Sequence, residues 1–101
     1  PREFSSMVML VRDALLEMKK VLDYTGDVAA NYMKMEARCR KIYVFEERGD
    51  EFYREEIRRL FTEKQSAAYM IYWKDILVDV ERMLDAAAGA ATLLQKLFVR
   101  V

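Results

Sequence analysis

WKDILVDVERMLDAAAGAATLLQKLFVRV, residues 73–101, carries apolar side chains at alternating spacings of four and three from end to end. Trp73, Leu77, Val80, Leu84, Ala87, Ala91, Leu94, Phe98 and Val101 fall on one stripe of an α-helix, which is the pattern of a helix buried along one side against other helices. A strand would alternate every second residue, and this stretch does not. Its middle, AAAGAA at 86–91, has almost no side-chain bulk. Such a run favours helix and lets a neighbouring element approach closely.

Working outward, the apolar period lapses at TEKQS, residues 62–66, and Ser66 is placed to cap a helix that begins at about 67. Before that break a second helical segment spans about 28–63. Its stripe runs Val28, Tyr32, Met35, Cys39 and Ile42, then takes Glu46, Gly49 and Tyr53, with Ile57, Leu60 and Phe61 restoring the apolar face. DYTGD, residues 23–27, supplies a breaking Gly26 and a capping Asp27. The first segment, about 3–23, places Phe4, Val8, Val11, Leu15, Met18 and Leu22 on an a/d seam. The expectation is an all-α, three-helix antiparallel bundle in a single domain over 1–101, with helices 2 and 3 forming a long hairpin. At 1.5 Å per residue those two helices reach on the order of 50 Å, whereas helix 1 covers only about 30 Å. The distal half of the hairpin is therefore expected to lack a cover, which calls for self-association or for a further helical segment.

Composition narrows the chemistry. Lys plus Arg and Asp plus Glu are 17 each, so no net field draws nucleic acid or an anionic membrane. There is no histidine. Ser-His and Cys-His catalysis, imidazole zinc sites and the Glu-x-x-His di-iron motif are all unavailable. The single cysteine, Cys39, reads as a small buried hydrophobe in a reducing compartment. No run approaches the ~18 apolar residues of a membrane span, no signal-peptide pattern opens the chain, and a cytoplasmic location is expected. Because the chain begins at Pro1 rather than methionine, a processed chain or part of a longer one is expected. The aromatics Tyr69, Tyr72 and Trp73 are read as core or interface rather than as base-stacking groups.

The unusual feature is VFEERGDEFYREEI, residues 44–57, where Glu46 and Asp50 sit on or beside the core stripe. A carboxylate there is costly unless something compensates its lost hydration. With a turn near 64–65, helix 2 and helix 3 residues share a level when their numbers sum to about 129. Glu46 is then level with Met83, and Glu81 and Asp85 lie within one helical turn, about 5.4 Å, of it. Both pairs have the Glu-x-x-x-Asp spacing that puts two acids on one helix face. Four converging carboxylates repel one another unless a cation intervenes. Two kinds of cation are open: a metal ion, since oxygen ligands suit Mg²⁺, Mn²⁺ or Ca²⁺ and carboxylate bundles also hold iron, or arginine, with Arg48, Arg54, Arg58 and Arg82 in reach along the helices.

FEERGDEFYREEIRRLF, a short polar break and then IYWKDILVDVERMLDAAAGAATLLQKLFVRV together resemble the carboxy-terminal half of PhoU-like proteins. The nearer branch is the short one associated with Pit-type inorganic phosphate transporters. Glu46, Asp50, Tyr53, Arg54, Glu55 and Leu60-Phe61 match its first motif, and Trp73, Lys74, Asp75, Ile76, Glu81 and Asp85 match its second. The resemblance covers residues 40–101 and extends to 1–39 only by pattern. It implies one three-helix half of a two-repeat protein, or a unit that oligomerises in its place. It further implies a metal site at Glu46, Asp50, Glu81 and Asp85, for Mg, Mn, Ca, Zn or Fe, and a non-catalytic regulatory or accessory role beside a phosphate transporter. Family members continue the second motif with a further acid where this chain has Gly89, so one family ligand is missing. The competing expectations are a structural helical interaction module without metal and, less favoured, a metal-dependent phosphohydrolase, for which no phosphate-binding loop is evident.

Overall fold

The computed structural model describes residues 3–99, and among them every regular element is helical. Helix α1 spans Phe4–Asp23, a 3-10 turn spans Tyr24–Asp27, α2 spans Val28–Thr62 and α3 spans Ala67–Val99. The molecule measures 55 × 18 × 16 Å, so its length is that of the α2–α3 hairpin and its width that of packed helices.

Local chemistry sets the boundaries. The Asp27 carboxylate accepts the Ala30 backbone N–H at 3.1 Å, and the Ser66 hydroxyl accepts that of Tyr69 at 3.1 Å, so each long helix starts with a side-chain cap as its sequence suggested. Gly26 does not break the chain by adopting a left-handed conformation, because no residue there has positive φ. The backbone instead tightens into the 3-10 turn, and the Thr25 hydroxyl donates to the Leu22 carbonyl at 2.6 Å.

The α3 seam packs as read: Leu77, Val80, Leu84, Ala87, Ala91 and Phe98 are buried and Trp73 and Leu94 half-buried, while Val101 lies outside the described residues. Met35, Cys39 and Ile42 of α2 join them in one core. Fully burying a side chain of the Leu84 or Ile42 type contributes about 1.5–3 kcal/mol.

Helix α1 departs from its expected seam. Met7, Leu10, Val11, Ala14 and Val21 are buried, whereas Val8, Leu15 and Leu22 are exposed. Two heptad rows, 7-14-21 and 8-15-22, are apolar in the sequence. Burial goes to the row holding Ala14, whose small side chain lets the helix lie close to its neighbours.

The cover provided by α1 also reaches further than its length implied. The Glu56 carboxylate of α2 accepts the Glu3 backbone N–H at 2.7 Å, and the Phe4 ring meets that of Trp73 edge-on at 5.2 Å between centroids. The 3-10 turn adds roughly 2 Å per residue to the cover, so it is the tip of the hairpin rather than its distal half that stands clear. Phe61, Ile71 and Tyr72 are exposed there. Two buried carboxylates tie α1 down. Glu56 is held by Arg59 at 2.9 Å as well as by Glu3, and Glu17 meets Arg38 of α2 at 3.2 Å.

Candidate metal centre

Glu46 and Asp50 stand one turn apart on α2, and Asp85 faces them from α3. One carboxylate oxygen from each lies within 4.8 Å of the other two. Glu46 and Asp50 are half-buried and Asp85 is exposed, so the group opens to solvent on the α3 side. The hairpin register therefore does bring the first motif against the second.

Close approach of the helices makes this possible. Gly49 is buried between Glu46 and Asp50, and a Cβ placed on it would collide with the Cδ1 of Leu84, a side chain with no exposed surface. The absent side chain leaves room for the Leu84 side chain to pack against the α2 backbone, one residue before Asp85. One heptad further along the same helix faces, a hydrogen-bonded layer also joins α2 to α3. The Tyr43 hydroxyl donates to Gln95 Oε1 at 2.6 Å and lies 2.9 Å from the Thr92 hydroxyl.

Glu81 takes a different place from the other three. It is not in the converging trio; its Oε2 lies 3.9 Å from the Cβ position of Gly49, is buried, and has no hydrogen-bond partner. A buried carboxylate oxygen with nothing to accept from is costly. It sits one helical turn from Asp85, at the edge of the same acidic layer.

The electrostatics follow from the crowding. Burial raises the pKa of Glu46 above the ordinary carboxylate value, and the charges of Asp50 and Asp85, a hydrogen bond shared with Asp85 and the charge of Glu47 push it in the same direction. Metal-free, Glu46 holds its proton more tightly than an ordinary glutamate.

Two of the four candidate arginines, Arg58 and Arg82, are engaged elsewhere. Arg58 pairs with Glu55, Arg59 with Glu55 and Glu56, and Arg82 with Asp79 at 3.6 Å. Among the described residues no Lys or Arg nitrogen forms an ion pair with Glu46, Asp50, Glu81 or Asp85. Arg54 and Arg48 point into solvent, and a side chain at Gly89 would meet open space within 4 Å. The donor set is all oxygen, partly dehydrated and lacking an internal cation, which fits a hard multivalent ion.

Sequence reasoning located the four acids but not the collision that a side chain at 49 would cause, nor the orphaned oxygen of Glu81. The only signal for the former was a glycine on the core stripe of a long helix. Comparison with known proteins adds no relative: no protein-family model, curated protein or solved structure matches the chain.

Proposed function

We propose that the chain is a PhoU-like three-helix unit, a non-catalytic regulatory or accessory protein of inorganic phosphate transport, with a hard multivalent cation held by Glu46, Asp50 and Asp85. What carries the metal part of this reading is the convergence of three carboxylates from two helices with no cationic side chain paired to them among the described residues. The orphaned Glu81 oxygen is a fourth donor within one turn. When bound, such an ion supplies positive charge that cancels the repulsion and ties α2 to α3 at mid-length. The phosphate-transport part rests on the resemblance of residues 40–101.

Calorimetric titration of chelator-treated protein with Mg²⁺, Mn²⁺, Ca²⁺, Zn²⁺ and Fe²⁺ tests the site. Saturable binding by at least one ion is expected, weakened roughly tenfold or more in Asp50→Asn and in Glu81→Gln. Absence of saturable binding by the parent protein would sink the metal reading. A second reading, a helical interaction module without metal, is favoured by the exposed position of Asp85 and by the number of large apolar side chains left at the surface.

A further inference from the structure

The chain has no net charge, but its charges are unevenly divided along the rod. From Lys19 to Lys41 six cationic side chains stand against three acids, whereas from Glu46 to Glu56 six acids stand against two arginines. Most of these cations border the outer side of the α1–α2 pair. There an open groove of about 370 Å³ is lined by Glu17 of α1 and by Arg40, Lys41, Val44 and Phe45 of α2. Lys34 and Arg48 stand one heptad either side of Lys41 and share its face of the helix, and the Lys34 Nζ lies 5.9 Å from the centroid of the Tyr24 ring at the end of α1. The acids of this side are already matched, Glu17 by Arg38 at 3.2 Å and Lys20 at 3.6 Å, and Asp13 by Arg12 at 3.0 Å. Lys34, Arg40, Lys41 and Arg48 are exposed, and among the described residues none of the four forms an ion pair, Asp23, Glu36 and Glu47 on the same helices included. Apolar side chains lie among them: Leu16, one turn before Lys20, is 51% exposed and Val44 50%.

We infer that this α1–α2 face lies directly against an anionic phospholipid bilayer, its lysines and arginines at the headgroup phosphates and Leu16 and Val44 entering the interface.

Three observations favour a lipid surface as occupant. Lys34, Lys41 and Arg48 follow one another at about 10 Å along α2, too far apart to converge on a single phosphate or carboxylate and matched to a surface of many headgroups. Their number fits as well, since clusters of about four to eight Lys and Arg are what anionic leaflets attract. The half-exposed Leu16 and Val44 are taken up by the boundary of headgroups and acyl chains, whereas the phosphate backbone of a nucleic acid offers them nothing. The contact is with lipid itself and needs no protein partner. It is also separate from the acidic layer, which lies where α2 meets α3, so lipid binding and metal binding fail or succeed separately.

Co-sedimentation of the chelator-treated chain with vesicles of equimolar phosphatidylglycerol and phosphatidylcholine, and with vesicles of phosphatidylcholine alone, tests the inference. The chain is expected to sediment with the first and not with the second, and to be released at about 1 M salt, where the Debye length falls to about 3 Å. Lys41→Glu with Arg48→Glu should weaken binding at least about tenfold, since each cation near an anionic surface is worth roughly fivefold in affinity, with helical circular dichroism retained because both positions are exposed. Lys64→Glu with Lys74→Glu, the same change of net charge placed on exposed residues at the hairpin tip, should bind like the parent. A parent that ignores the anionic vesicles, binds the neutral ones equally well, or keeps its affinity after the Lys41 and Arg48 reversal overturns the inference. Binding to polyglutamate or to a DNA duplex in place of vesicles overturns it too and assigns the face to an acidic protein segment or to nucleic acid. Should the reversal cost helicity, Lys34→Gln with Arg40→Gln takes its place, and the comparison of the two vesicles stands alone as a test.

Discussion

Glu46 concentrates the conflict on which the site is built. A native pKa above the unfolded one means that the folded chain binds the proton more tightly. The associated stability is fully present below the unfolded value, near 4.5, and is lost as pH rises through the raised native value. At neutral pH the ionised group opposes folding in metal-free protein. Glu46→Gln is therefore expected to stabilise the chelator-treated protein at neutral pH, by less than about 1 kcal/mol because the half-exposed site is screened by solvent, and to remove the acid-side slope. Urea unfolding at pH 4 and pH 7 measures both, and a destabilised variant at pH 7 would show that Glu46 is compensated by a partner. The placement of Glu46 and Asp50 was legible in the sequence, because 3.6 residues per turn fixes which positions share the stripe. The protonation preference was not, since it depends on Asp85 arriving from residues far along the chain.

Among the elements, the α2–α3 hairpin is where pattern and packing agree most closely. Both caps, Asp27 and Ser66, and the run from Leu77 to Ala91 follow from residue type and spacing. Helix α1 shows the limit of the same reasoning. Its sequence offers two apolar rows one residue apart, and only the three-dimensional fit of Ala14 selects between them. At Gly49 the Leu84 side chain of α3 packs directly on the α2 backbone, and this yields a prediction with an unusual sign. In an open helix Gly→Ala stabilises by about 1 kcal/mol; at 49 the added methyl meets a fully buried Leu84, and overpacking costs about 1–3 kcal/mol. Gly49→Ala is expected to lower stability in urea unfolding and to couple with Leu84→Ala, the second change absorbing much of the loss made by the first. Stabilisation by Gly49→Ala alone would mean that the helices are not in contact there.

At the scale of the whole molecule, a chain 55 Å long and two helices thick has more surface than its core can absorb. Exposed apolar side chains are the outcome. Self-association was expected from the hairpin lengths, but α1 and the 3-10 turn cover most of the hairpin, and exposed apolar side chains lie both at its tip, Phe61, Ile71 and Tyr72, and along α1 and α3, Val8, Leu15, Leu22, Met83 and Leu93 among them. Among the described residues no helix is long and apolar enough to cross a membrane, as the hydropathy of the sequence indicated. In the acidic layer at mid-length α2 and α3 oppose like charges, and a cation that resolves that opposition is what we propose. Carboxyl-carbon NMR of Glu46 across pH, with chelator and then with saturating Mn²⁺-free diamagnetic ions such as Ca²⁺, Mg²⁺ or Zn²⁺, tests it most directly. Glu46 should titrate above the ordinary glutamate value with chelator and below it once an ion is bound; an ordinary titration that no ion displaces would contradict the account.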